Sequence, residues 1–97
     1  MIITVRYYAA ARAAAGVETE ALEVPDGGTL AMALDAMLEA TRAAERSGER
    51  SPEDGVPELA DVLRRCSFLV NEVAAKDLHR TLAGGDLLDV LPPFAGG

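Results

Sequence analysis

Apolar and polar residues alternate at the start of the chain, and the alternation returns after a short interruption. Ile3, Val5 and Tyr7 are separated by polar residues, which predicts a β-strand with one buried face. The same spacing recurs in Glu18–Val24 and predicts a second strand. We interpret the alanine-rich segment Tyr8–Gly16 between them as the wide connection of a β-hairpin, with a helical turn as the alternative.

The period changes to that of a helix after the break at Pro25–Gly28. Thr29 is a suitable N-cap residue, and Ser47-Gly48 forms a suitable C-terminal stop. Between these signals, residues at helical spacing share one face: Leu30, Leu34, Met37, Leu38 and Thr41. This pattern predicts an amphipathic helix from about Leu30 to Glu45.

The second half of the chain consists of short apolar runs separated by polar breaks. Glu49–Gly55 is polar and contains a proline, so we predict a mobile surface loop. Pro57 suits the first position of a short helix over residues 58–65. Two later apolar runs, Ser67–Asn71 and Leu87–Leu91, are predicted to be strands, with an irregular stretch between them.

These elements follow one another as two strands, a long helix, a short helix and two further strands. We therefore predict an α+β fold of the β-grasp (ubiquitin-like) type, with a mixed four- to five-stranded sheet packed on one long helix plus a short helix. A chain of 97 residues can bury one modest core, and no repeat divides it. Residues 1–97 are thus predicted to form a single domain, with 92–97 as a protruding C-terminal tail.

The charge of the chain narrows the classes of partner. A formal net charge of −7 disfavours nucleic acid and anionic membrane surfaces, since phosphate binding requires clustered Lys and Arg. Cys66 is the single cysteine, which excludes an intramolecular disulfide and favours a reducing compartment. With no signal peptide or membrane span recognised, the expected location is the cytoplasm.

The side chains provide no recognisable catalytic or metal-binding set. His79 is the single histidine and lies in a polar stretch, so we interpret it as a solvated loop residue and expect no metal site. Cys66 borders a predicted buried strand, where an inert core thiol is the more common case. No acid, base or nucleophile set is found within the fold, and whether the protein is itself an enzyme is left open.

The C-terminal tail is the remaining candidate for chemistry. Pro92 and Pro93 end the last strand stiffly, because proline donates no hydrogen bond to a ladder. The six residues from Pro92 to Gly97 span roughly 20 Å when extended. Gly96-Gly97 leaves the terminal carboxylate unshielded and lets a narrow channel close around the backbone. This arrangement suits a substrate of an enzyme that activates carboxylates with ATP.

Several segments resemble one family. Pro92-Pro93-Phe94-Ala95-Gly96-Gly97 is similar to the Pro-Pro-x-x-Gly-Gly ending of MoaD, the small subunit of molybdopterin synthase. Tyr8–Arg12 with Gly16 resembles that family's aromatic-Ala-x-x-Arg…Gly segment. Val70-Asn71 and Leu82–Asp86 resemble its Val-Asn strand end and its turn before the last strand. The segment Ala43–Arg65 is not covered. The sequence departs from the family pattern at Gly84, Leu87 and Phe94.

The resemblance implies a sulfur carrier that works through its terminus. Gly97 would be adenylated by a MoeB-type enzyme with ATP and converted to a thiocarboxylate. The carrier itself would bind no cofactor. It would give its sulfur to cyclic pyranopterin monophosphate inside a MoaE-type large subunit, in molybdenum cofactor biosynthesis. The partner-binding residues implied are those of the tail: Pro92, Pro93, Phe94, Ala95 and Gly96.

Other functions remain open at this point. Carriers for thiamine thiazole or cysteine synthesis share the Gly-Gly end, and a ubiquitin-like modifier would join the same terminus to a lysine amine. An interaction domain with an idle tail is the least specific alternative. We favour Phe94 as an apolar anchor in a partner groove over a cover for the domain's own edge. We interpret Arg12 as a structural residue that bonds carbonyls of the hairpin connection rather than as a partner contact.

Overall fold

The computed structural model describes residues 1–51 and 54–93. Within these residues it contains five strands and three helices. The strands are β1 (Ile2–Tyr7), β2 (Thr19–Glu23), β3 (Ser67–Val70), β4 (Val73–Ala74) and β5 (Leu87–Leu91). The helices are α1 (Ala9–Ala15), α2 (Leu30–Ser47) and α3 (Leu59–Leu63).

The strands form one mixed sheet in the order β2-β1-β5-β3-β4. The last strand of the chain lies in the middle, parallel to β1 and antiparallel to β3. β1 pairs with β2 in the predicted hairpin, with Ile3 opposite Leu22. The predicted β-grasp fold is confirmed: five mixed strands and a long helix enclose one core.

The core lies between the sheet and the helices, and period-two alternation decides which strand residues enter it. Ile3, Val5 and Tyr7 are buried, and they meet Leu88 and Val90 of β5 on the same side of the sheet. The helical residues buried against them include Leu30, Ala33 and Met37 of α2. Thr29 caps α2 as predicted, since its hydroxyl accepts from the Met32 N–H at 3.3 Å.

The structure resolves the alternatives for the alanine-rich connection. Residues Ala9–Ala15 form a complete helix, α1, with three alanines buried against the core and against α3. Gly16 ends the helix in a left-handed conformation with φ of 80°. Because the alanine side chain is small, α1 packs closely against α3 and the core. The helix connects β1 to β2, the two strands of the hairpin.

Some predicted boundaries are wrong. The short helix spans Leu59–Leu63 rather than residues 58–65, and Pro57 precedes its N-cap residue Glu58 instead of opening the helix. The two-residue strand β4 was not predicted, because Asn71 and Glu72 form a tight turn with positive φ that brings the chain straight back. A strand of two residues carries too little alternation to be recognised.

The prediction of a mobile surface loop over Glu49–Gly55 is wrong at Arg50. Its side chain is only 15% exposed and donates from Nη2 to Glu20 Oε1 at 2.9 Å. Glu20 in turn accepts a hydrogen bond from the Tyr7 hydroxyl. This charged network fixes the start of the loop to β2; Pro52 and Glu53 lie outside the described residues.

Candidate functional site

The candidate site is the point where β5 leaves the sheet. Leu91, the last residue of β5, lies opposite Ser67 of β3. Pro92 follows half-buried and Pro93 is exposed, so the chain emerges from the centre of the sheet rather than from an edge. The tail residues predicted to act, Phe94, Ala95, Gly96 and Gly97, lie outside the described residues.

The start of β5 is fixed by a side-chain bridge between two of the segments that carried the family resemblance. Asp86 accepts from the Ala83 N–H at 2.8 Å and from Asn71 Nδ2 at 2.9 Å. The Asn71 side chain also accepts from the Leu87 N–H at 3.0 Å. The hydrogen bonds from Ala83 and Asn71 lower the pKa of Asp86, because both favour the charged carboxylate. The turn contacts are therefore made although Gly84 and Leu87 depart from the family pattern.

A buried ion pair fixes the middle of β5. Asp89 is only 3% exposed on the sheet face opposite the helices, where Arg6 of β1 covers it. Arg6 Nε donates to Oδ1 at 2.6 Å and Nη2 to Oδ2 at 2.9 Å. The hydrogen bonds to Asp89 raise the pKa of the Arg6 guanidinium above its already high ordinary value. This bidentate pair clamps two parallel strands just before the exit.

The Arg6–Asp89 ion pair lies in a partly apolar surface of the sheet. Leu87 and Leu91 flank Asp89 on its own strand, and Leu69 lies beside it on β3; all three are half-buried. Thr4 and the exposed Ile2 continue the surface along β1. We call this surface the outer sheet face. It runs along β5 from Leu87 at the start of the strand to Leu91 at the exit of the tail, and its apolar groups still have area to bury against a partner.

The end of β1 borders the same exit. The Tyr8 N–H donates to the Val90 carbonyl at 3.3 Å, and the Tyr8 side chain is 39% exposed. Ala9 begins α1 with φ of 48°, a left-handed conformation that alanine rarely adopts. The strained step turns the chain away from the sheet and leaves Tyr8 beside the tail exit.

The structure agrees with the interpretation of Cys66 and His79. The Cys66 thiol is half-buried and donates to the Val62 carbonyl at 3.2 Å, and burial raises its pKa to about 11. His79 is exposed in a loop. Among residues 1–51 and 54–93, no cluster of three or more His, Cys, Asp or Glu is arranged to hold a metal ion.

The interpretation of Arg12 as a residue that bonds carbonyls is not supported. Its side chain is 60% exposed, and its closest ionic partner in the described part of the chain is Glu18 at 3.9 Å. An exposed pair at this distance contributes little to stability. Sequence analysis also missed the Arg6–Asp89 pair. The available signal was an acidic residue inside the apolar run Leu87–Leu91, which implies a buried carboxylate that needs a partner.

None of the helices in the described residues has the length and apolar character needed to cross a bilayer.

Comparisons with known proteins agree with the β-grasp fold described above. Residues 5–97 match the ThiS family. The crystal structure of SAMP1, small archaeal modifier protein 1, from Haloferax volcanii is 27% identical over 100% of both chains, with a TM-score of 0.72. A complex of subunits 1 and 2 of molybdopterin-converting factor from Helicobacter pylori contains a chain 23% identical over 100% of both chains, with a TM-score of 0.54. The BexX/CysO complex from Amycolatopsis orientalis contains one 24% identical over 98% of this chain and 99% of the other, with a TM-score of 0.57. A search among functionally curated proteins gave no match.

Proposed function

Because the chain belongs to the ThiS family of MoaD/ThiS-type ubiquitin-like proteins, we propose that it is a sulfur carrier whose reactive atom is the Gly97 carboxyl carbon. The observation that carries the proposal is the position of β5. The strand that leads to the tail is held on both sides in the middle of the sheet, so the terminus leaves from a rigid base.

The side chains described above support this assignment because they form no reactive set of their own. Cys66 is held as a thiol, Arg6 and Asp89 neutralise each other, and His79 has no partner set around it in the described part of the chain. The remaining reactive group is a terminal carboxylate. The protein then acts as a substrate that is passed between enzymes, and its fold serves to present the tail.

The proposed chemistry begins with activation. A Gly97 carboxylate oxygen attacks the α-phosphate of ATP on an adenylating enzyme, and pyrophosphate leaves. The terminal sulfur of a protein persulfide then attacks the acyl carbon of the adenylate, and AMP leaves. A second thiol reduces the resulting acyl disulfide, which releases the thiocarboxylate of Gly97 and forms a disulfide between the two thiols. ATP is thus consumed by the activating enzyme, and the carrier needs no bound cofactor of its own.

The outer sheet face supports docking of a partner protein around the exit. Leu91 lies at the start of the tail, Leu69 and Leu87 continue the apolar surface along the sheet, and Tyr8 is exposed beside the exit. A partner seated on this face would receive residues 94–97 directly into its active site. We assign two partners in turn, a MoeB-type adenylating enzyme and a MoaE-type large subunit, and place the exchange in the cytoplasm.

Molybdopterin synthesis is the pathway we favour, with cyclic pyranopterin monophosphate as the sulfur acceptor. Support comes from the Pro92–Gly97 ending and from the contact between Asn71 and Asp86, which joins two segments of the resemblance. Carriers for thiamine thiazole or cysteine synthesis are the alternatives within the class.

The test is a coupled reaction. The full-length protein is loaded as the Gly97 thiocarboxylate and mixed with a MoaE-type large subunit and cyclic pyranopterin monophosphate. We expect molybdopterin to form while the intact mass of the carrier falls by the difference between sulfur and oxygen. A thiocarboxylate that forms but is not consumed would contradict the pathway and preserve the carrier. A carrier with one residue added after Gly97 is the control and should not be loaded.

A protein modifier is the second candidate, and one observation favours it. The Haloferax volcanii structure described as small archaeal modifier protein 1 matches this chain over its whole length with a TM-score of 0.72. A modifier would join Gly97 to a lysine amine of a target after the same activation. Mass spectrometry of cell extracts for Gly-Gly remnants on lysines distinguishes the two functions. Remnants that depend on this protein would establish the modifier; thiocarboxylate without remnants would establish the carrier alone.

A further inference from the structure

A second surface, on the helix side of the sheet, is an open apolar groove between the β3–β4 edge and the helices α2 and α3. Its volume is about 600 Å³. The apolar side chains that line it come from three elements and the loop after β4: Leu34, Leu38, Leu63, Phe68, Ala75 and Leu78. Leu78 is 46% exposed, and Val73, which precedes Ala74 on β4, is 62% exposed. The groove therefore retains apolar area that a partner can bury.

The charge of the groove is opposite to that of the chain. Arg64 and Lys76 are the charged residues in its lining, and both are cationic, whereas the chain as a whole carries −7. Arg64 pairs with Asp61 at 2.9 Å, but both side chains are more than half exposed. An exposed pair of this kind contributes little and is readily exchanged. Lys76 has no ion pair among the described residues.

The edge of the sheet beside the groove offers unused backbone hydrogen-bonding groups. The Ala75 N–H donates to the Phe68 carbonyl, so the opposed pair Leu69 and Ala74 is a non-hydrogen-bonded one. The N–H and C=O of Ala74 therefore point away from β3, toward the open edge. No strand of the described chain lies beyond β4. This edge can accept a further strand.

We propose that this groove binds an extended, acidic and apolar segment of a partner protein, which adds to the edge at Ala74. The residue opposite Ala74 lies on the outer side of the sheet. The residues before and after it point into the groove, against Phe68 and the helical leucines. Acidic residues at one end of this apolar pair meet both Arg64 and Lys76, because β4 is antiparallel to β3 and its continuation to Lys76 runs toward the start of β3, which Arg64 closely precedes in the chain.

Charge selects this occupant over a second copy of the same chain. Each copy carries −7, and this like charge opposes self-association. A segment with acidic flanks is attracted locally by the two cations, and its apolar residues bury the groove.

The test uses a capped synthetic peptide, Glu-Asp-Val-Ile-Val-Asp-Glu, titrated into the full-length ¹⁵N-labelled protein. We expect amide shifts at residues 73–76 and around Leu63 and Phe68, with a Kd that weakens at least about tenfold in Arg64→Glu and in Lys76→Glu. Arg46→Glu is the matched control, because Arg46 is similarly exposed on α2 but lies outside the groove. The control should bind like the wild type.

Four results would overturn the proposal. The first is equal affinity for a peptide in which every acidic residue is replaced by lysine. The second is a set of shifts confined to β2 or to the outer sheet face. The third is the absence of binding at millimolar peptide. The fourth is a dimer of the protein formed through residues 73–76. None of these results depends on the tail, so a variant lacking residues 94–97 separates this proposal from the proposed function.

Discussion

Arg6 and Asp89 are 83 positions apart in the chain, yet their side chains form a two-point ion pair, with donor–acceptor distances of 2.6 and 2.9 Å. They face each other because β1 and β5 are parallel neighbours in the sheet. Arg6 is 37% exposed, whereas Asp89 is almost completely buried. The Arg6 guanidinium therefore covers the Asp89 carboxylate and shields it almost completely from water.

We predict that Arg6→Met destabilises the protein by about 3 kcal/mol. The change leaves the Asp89 carboxylate, which is only 3% exposed, without the guanidinium that donates to both of its oxygens. Breaking a buried pair in this way is costly because the remaining charge has no partner and little water. Urea unfolding measures the effect.

The control for this prediction is Arg12→Met, since Arg12 is exposed and lies 3.9 Å from its partner. It should change stability little. The double variant Arg6→Met with Asp89→Leu should recover much of the loss, because an apolar pair requires no desolvation of charge. A loss in Arg6→Met no larger than that in Arg12→Met would contradict the assignment.

The network of Tyr7, Glu20 and Arg50 gives a second prediction. Arg50→Leu leaves the buried Glu20 carboxylate with the Tyr7 hydroxyl alone, and we expect a loss of about 3 kcal/mol in unfolding free energy. Arg46→Leu removes an exposed pair with Glu39 and should cost at most about 1 kcal/mol. Equal losses in the two variants would show that the buried pair is worth no more than the exposed one.

Gly28 is required for steric reasons rather than for its backbone conformation. A Cβ added there would lie 2.6 Å from Val24 Cγ1 and 2.8 Å from the Pro25 carbonyl oxygen. We expect Gly28→Ala to cost about 1–3 kcal/mol, because the turn before α2 must shift. Gly84→Ala places its Cβ 3.6 Å from the nearest atom and should stay within about 0.5 kcal/mol. Thermal unfolding of the two variants is the measurement.

Cys66 is predicted to be a slow nucleophile. With its pKa raised to about 11 by burial, it carries about two orders of magnitude less thiolate near pH 8 than a free cysteine of pKa about 8.5. Alkylation by iodoacetamide should therefore accelerate about tenfold per pH unit up to pH 10. Intact mass reports the reaction, since the chain has one cysteine. A rate that levels off near pH 8.5 would restore Cys66 as a candidate for sulfur transfer.

Phe94 is predicted to anchor the tail in a partner. Phe94→Ala should weaken binding to a MoaE-type large subunit by about tenfold or more, as expected for an aromatic group that fills a pocket. Met32→Ala is the control, because Met32 is 41% exposed on α2, outside the outer sheet face. Calorimetric titration measures both. Unchanged affinity for Phe94→Ala would instead favour a role within the protein's own domain.

Much of the fold could be predicted from local patterns. Alternation placed Ile3, Val5 and Tyr7 on the buried face, and the N-cap and glycine signals bounded α2 to within two residues at its C-terminal end. Local signals failed where few residues carry the information. The strand β4 has two residues, too few to show alternation, although its partner β3 lies just before it in the chain. The five-residue helix α3 packs against α1, which is distant in sequence.

The candidate site likewise has features that the sequence predicted and features that only the tertiary structure decided. The sequence by itself predicted the chemistry under test, through a strand that ends in two prolines and the Gly96-Gly97 segment that follows it. It also determined the family, through short segments at both ends of the chain. The tertiary structure alone decided that β5 occupies the centre of the sheet, that Asp89 is covered by Arg6, and that Arg50 is fixed to Glu20. These relationships follow from strand order and packing between residues far apart in the chain, and no periodicity along a single segment encodes them.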